Sequence, residues 1–172
     1  MQYIIRFFDH PFFIIMGGVT TFIMIFGFLY TIYLVGKGVL PVWYRLGMGL
    51  SKRKIAIFAD NEFDNLKDIL VDSKIFESKN IIKIDKQSIK KAASITLLLV
   101  HWKCFESKFD EILNIKNDSD ALIIYAPTAE GPIDKNNLEK INLHRNSITV
   151  NFKGRLLNDI LTCMITTSYK NS

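Results

Sequence analysis

From Pro11 to Val35 the chain runs 25 residues without one Asp, Glu, Lys, Arg or His. As a helix this stretch would be ~37 Å long at 1.5 Å per residue, enough to cross a ~30 Å hydrocarbon core with some tilt. A buried core helix of that length would carry a polar stripe. A cleaved signal peptide would have an apolar region of roughly 7–15 residues and a small-residue cleavage site. Neither pattern is present, so the sequence predicts a retained membrane anchor over residues 1–36. A juxtamembrane linker over 37–54 and an α/β domain over 55–172 follow from the change of pattern beyond it.

Past residue 54 the apolar positions fall into short blocks separated by polar turns. IAIFA (55–59), NIIKID (80–85), SITLLLV (94–100), ALIIYA (121–126) and SITVNF (147–152) read as five strands. Between them, Phe63, Leu66, Ile69, Leu70 and Ile75 recur at helical spacing. SIKKAAS (88–94) is a short helix with Ser88 as its N-cap, and SKFDEILNI (107–115) and Asp134–Leu143 are two more. RLLNDILTCMITTSY (155–169) closes the chain as a helix, with Gly154 in the turn before it. Strands alternating with helices predict a five-stranded parallel sheet of flavodoxin-like type with helices on both faces.

Charge orients the anchor. Arg6 and Asp9 precede the apolar run, whereas Lys37, Arg45, Lys52, Arg53 and Lys54 follow it. By the positive-inside bias the α/β domain is cytosolic and the N-terminus outside, in an inner (plasma) membrane. Trp43 and Tyr44, just after Pro41, suit the headgroup layer. Phe7, Phe8 and His10 sit at the opposite interface or extend the helix. Gly17, Gly18, Thr20, Thr21 and Gly27 give the helix small faces that permit close packing and self-association. Of the 22 Lys and Arg residues and 17 Asp and Glu residues, 19 and 16 lie beyond residue 50, a balance too mild for a nucleic-acid surface. Cys104 and Cys163 have no metal-ligand spacing and are expected as free reduced thiols.

Ligands of such a sheet bind in the loops beyond the carboxyl ends of its strands. The loop after the first strand, ADNEFDN, has no glycine, which argues against a dinucleotide or phosphate-loop enzyme. It also lacks the Ser/Thr/Gly phosphate loop of a flavodoxin. A phospho-accepting receiver needs Asp at the end of the third strand, where this chain has His101. His10, His101 and His144 are scattered, so no metal site is expected, and no cofactor is implied. The ligand-binding candidates are Asp60 in the loop after the first strand; His101 and Trp102, two residues that could stack on and bond a nucleobase; and Thr128 beside Glu130, which could grip a ribose. Lys153 and Arg155 straddle Gly154 at a helix start and form the best anion-site candidate.

The order IAIFA, NIIKID, SIKKAAS, ITLLLVHW resembles the opening elements of the Toll/interleukin-receptor (TIR) family. The serine, glutamate and following hydrophobic residues of FESKFDEIL resemble the start of a conserved TIR helix, over a domain of 118 residues. That resemblance implies Glu111 as the catalytic glutamate of an NAD-cleaving enzyme. A small Rossmann-like domain on one membrane helix also resembles the membrane effectors of bacterial antiphage systems. The implied function is a membrane-anchored sensor/effector that binds a nucleotide second messenger or a partner protein and forms homo-oligomers among the membrane lipids. The alternatives are the TIR-like NAD hydrolase and a non-catalytic docking subunit of a larger membrane complex.

Overall fold

A computed structural model of the chain describes residues 11–167, with the backbone alone at 45, 46 and 48–52. Arg6, Phe7, Phe8, Asp9 and His10, and the last residues expected in the closing helix, lie outside the described residues. The chain divides into two compact units between Trp43 and Tyr44.

The first helix, α1, runs Pro11–Lys52. Its Pro11–Tyr44 part is a single helix long and apolar enough to cross a membrane, and none of its most apolar window is buried. The hydroxyls of Thr20, Thr21 and Thr31 each donate to the carbonyl four residues back, at 2.8 Å. That bonding satisfies the only hydroxyl-bearing aliphatic side chains of the run within the helix itself, as an apolar solvent requires. The stretch 37–52 expected as linker is helical, and Pro41 lies inside it. There the ring removes the donor that Lys37 O would otherwise receive.

The second unit carries an all-parallel sheet of five strands: β1 (Ile55–Phe58), β2 (Ile81–Lys83), β3 (Leu97–His101), β4 (Ala121–Tyr125) and β5 (Ser147–Val150). Their order is β2-β1-β3-β4-β5, with Ile55 opposite both Ile81 and Leu97, Leu97 opposite Ala121, and Leu122 opposite Ser147. β1, β3 and β4 are buried at every position. That is why they read as unbroken apolar runs rather than as alternating ones. Between the strands lie α2 (Phe63–Asp72), the one-turn α3 (Trp102–Phe105), α4 (Phe109–Ile115) and α5 (Lys135–Leu143), and α6 (Lys153–Thr166) ends the fold.

Strand residues alternate between two apolar clusters, as the period of two requires. Ile55, Ile57, Leu97, Leu99, Ala121 and Ile123 join Leu66 and Leu70 of α2 and Leu156 and Ile160 of α6. Ala56, Phe58, Leu98, Val100, Leu122 and Ile124 join Phe105, Phe109 and Ile112 of α3 and α4 and Ile141 of α5.

Three local expectations are corrected. The segment Ile89–Ser94 is a 3-10 helix, and Ser88 makes no cap bond to it. Instead Ser88 Oγ accepts from Asp85 N at 3.1 Å, closing the turn before. Gly154 lies in the first turn of α6, which begins two residues earlier than the apolar periodicity indicates. Arg53, counted among the membrane-flanking cations, is 2 % exposed. Its Nε donates to Thr96 Oγ1 at 2.8 Å, and its Nη2 donates to Thr96 O at 2.8 Å and Thr167 Oγ1 at 2.7 Å. Burial lowers its pKa, opposed by the nearby Asp120 and Cys163.

Candidate functional site

The carboxyl ends of the strands carry two groups of polar side chains. The first lies over β3 and β4. His101, the last residue of β3, is 2 % exposed, and its ring is 5.7 Å from that of Tyr125, the last residue of β4. The loop after β4 turns through a 3-10 helix at Thr128–Glu130, which brings Glu130 Oε1 to 3.4 Å from His101 Nε2. That separation lies within ion-pair range, but the pair lacks hydrogen-bond geometry. Burial raises the Tyr125 pKa, and the carboxylates of Glu62 and Glu130 raise it further. An acidic rim therefore crowns these strands.

The second group lies beyond the ends of β4 and β5. A cleft of about 270 Å³ is walled by Ala126, Thr128, Gly131, Pro132, Ile133, Leu138, Thr149 and Asn151. Gly131 has φ +92°, a left-handed conformation that favours glycine, and this lets the chain turn sharply from Glu130 to Pro132. Asp134 then caps α5 by accepting from Asn137 N at 3.0 Å, a bond that also lowers its pKa. The cap fixes where α5 begins, and so where Leu138 meets the cleft. A recess of about 80 Å³, walled by Thr149, Val150, Asn151, Phe152 and Arg155, shares Thr149 and Asn151 with the cleft.

The sequence candidates distribute as follows. Asp60 is paired with Lys86 Nζ at 3.2 Å on the surface after β1. Trp102 is 4 % exposed and meets Phe109 edge-to-face at 5.1 Å, so its indole is a wall of the core. Thr128 lines the larger cleft and Arg155 the smaller recess. Lys153 turns away from Arg155, its Nζ donating to Asn65 Oδ1, while Asn65 Nδ2 donates to Glu62 Oε2 at 2.9 Å. Arg155 is largely exposed and reaches Asp159 Oδ1 only at 3.9 Å. Glu111 lies 3.1 Å from Lys108 Nζ, near the start of α4, and lines neither cleft. The structure thus joins Thr128 and Arg155 through Thr149 and Asn151, and separates Lys153 and Glu111 from them.

Thr149, Asn151, Ile133 and Leu138 are site-lining residues that sequence reading did not single out. Asn151 fell inside the expected fifth strand (147–152), and it lies beyond the strand's end because β5 stops at Val150. Among the described residues no group of three or more His, Cys, Asp or Glu side chains could hold a metal ion. No protein-family model, curated protein or solved structure matches the chain.

Proposed function

We propose that this protein is a membrane-anchored sensor/effector of bacterial, antiphage-type signalling, whose cytosolic domain binds a nucleotide-type ligand and assembles into homo-oligomers. One observation carries the reading: the cleft and its arginine-bearing recess adjoin each other beyond the carboxyl ends of β4 and β5, in a chain with a membrane-length apolar helix. In doubly wound parallel sheets ligands bind beyond the carboxyl ends of the strands. The cleft shares that end of the sheet, although it lies toward the β4–β5 edge and not at the β1–β3 switch point. The order β2-β1-β3-β4-β5 is the flavodoxin-like order, so we read the domain as flavodoxin-like or TIR-like, with helices on both faces. α1 crosses the inner membrane once, N-terminus outside, with Lys37, Arg45, Lys52 and Lys54 on the cytosolic side.

In this scheme ligand binding shifts an existing equilibrium between dispersed and clustered forms. The small residues Gly17, Thr21 and Gly27 let α1 helices approach closely in the bilayer. NAD cleavage is the less favoured chemistry, because Glu111 lines neither cleft and has Lys108 Nζ at 3.1 Å from its Oε2.

The test uses the full chain in detergent micelles. Calorimetry against mononucleotides, dinucleotides, cyclic oligonucleotides and NAD is combined with particle mass from light scattering. At least one nucleotide is expected to bind and to raise the particle mass by whole multiples. No binding and constant mass, with stable partner proteins recovered by pull-down, would make the protein a docking subunit and refute the proposal. Release of nicotinamide from NAD that disappears in Glu111→Ala would refute it in favour of an enzyme.

A further inference from the structure

Resting on the nucleotide-binding reading above, we infer that the ligand is a mononucleotide, with its base in the cleft between the β4–α5 loop and β5 and its single phosphate on Arg155. Size makes the first distinction. At about 270 Å³ the cleft falls just under the ~300 Å³ at which drug-sized sites begin, a size that suits one heteroaromatic ring with its sugar. The adjoining recess, about 80 Å³, is less than a third of that volume, a scale that suits a single small group such as one phosphate.

Chemistry makes the second. Ile133 and Leu138 offer the cleft an apolar wall for a ring face, and Thr128 and Thr149 bring hydroxyls to it. Asn151 belongs to both cavities, and its side-chain amide has the donor and acceptor that pair with a base edge or a sugar hydroxyl. Arg155 supplies a fork of N–H donors matched to phosphate oxygens. Its competing partner Asp159 is 3.9 Å away, too far for a tight bond, so a phosphate can displace it. Arg155 is the one cation among the residues that wall the recess. A single phosphate monoester or cyclic diester fits that count better than a pyrophosphate.

The experiment titrates the full chain in micelles with AMP, GMP, CMP and UMP, 3′,5′-cyclic AMP and GMP, the parent nucleosides, inorganic phosphate and NAD. One or more mononucleotides are expected to bind at least tenfold more tightly than the parent nucleoside and than NAD. Arg155→Gln should weaken that binding ~10- to 100-fold, and Asn151→Leu should weaken nucleotide and nucleoside alike. Lys153→Gln should leave it within twofold, and Asp159→Asn should strengthen it by freeing Arg155. Arg155, Asn151 and Lys153 are exposed, so circular dichroism of these variants should match the parent. Mononucleotide binding indifferent to Arg155→Gln, or equal loss in Lys153→Gln, overturns the site. Tighter binding of NAD than of any mononucleotide overturns the ligand class while leaving the sensor reading standing. If no nucleotide binds, both fail together.

Discussion

Arg53→Ala removes the guanidinium that joins the segment after α1 to the start of β3 and the end of α6. Thr96 Oγ1 loses its donor at 2.8 Å, whereas Thr96 O keeps Ala121 N at 2.9 Å and Thr167 Oγ1, which had accepted from Arg53 at 2.7 Å, still donates to Cys163 O. A buried acceptor left unpaired costs ~1–3 kcal/mol, and deleting a buried side chain adds a cavity term. Against these stands the desolvation of the guanidinium, which costs several kcal/mol and disappears in the variant. That relief is smaller than usual here because the group keeps Asp120 as a nearby opposite charge. The balance is a loss of ~3 kcal/mol, or roughly 10 °C in Tm for a domain of this size. Arg53→Met retains the apolar stem and should cost about half as much. The assay is thermal unfolding in micelles, followed by the fluorescence of the buried Trp102 in a Trp43→Phe background. Thr167→Val should cost ~1 kcal/mol alone and less than that on top of Arg53→Ala, because both remove the Arg53–Thr167 bond while Thr167→Val alone removes the bond to Cys163 O. A shift under ~3 °C for Arg53→Ala, or full additivity with Thr167→Val, would refute the reasoning.

Two further predictions concern the core and the anchor. Burial raises the Cys163 thiol from 9.0 to about 11, with Asp159 adding to the shift and Arg53 opposing it. At pH 8 maleimide should therefore label the half-buried Cys104 well before Cys163, and equal rates would contradict the burial argument. Because the folded pKa is raised, Cys163 gives its full stabilisation below pH 9, and this is lost as pH climbs through about 11. The fall in urea midpoint between pH 8 and 11 should accordingly be smaller in Cys163→Ala. Two arginines at Ile23 and Phe26 place ~5–7 kcal/mol of insertion cost near the middle of the apolar run. The double variant should leave the carbonate-resistant membrane fraction, whereas the parent with a C-terminal fluorescent protein should stay there and fluoresce. A parent chain released by carbonate would remove the anchor.

Much of the fold was legible because its determinants are local. The uncharged run needed only composition, and the order of strands and helices needed only periodicity, since buried strands of a parallel sheet are apolar throughout. The helix expected over Asp134–Leu143 was placed to within one residue, and Asp134 is its N-cap, with a partner, Asn137, only three residues away. Ser88 showed the limit of that logic, since a hydroxyl beside a helix start can equally close the turn before it. The candidate site was legible as a set of loops but not as a set of partners. Thr128 and Arg155 line adjoining cavities only because β4 and β5 are neighbours and the Gly131 turn carries Pro132 and Ile133 back toward β5.

By itself the sequence determined that the protein has one membrane-length helix, five apolar strands in a β/α alternation, and no glycine-rich phosphate loop after the first strand. Only the tertiary structure decided which charges are spoken for. Arg53 reads like any cation beside a membrane, yet it is buried through bonds to residues 43 and 114 positions away. Lys153 and Arg155 look equivalent on either side of Gly154, yet Lys153 is drawn to Asn65, 88 residues back, and Arg155 is left at the recess. Trp102 could have met a ligand, but Phe109 takes its ring edge-to-face. Periodicity reports which side of an element is buried, because burial follows from the element's own geometry. It cannot report what a polar side chain meets there, because that partner arrives from a distant part of the chain only when the sheet assembles.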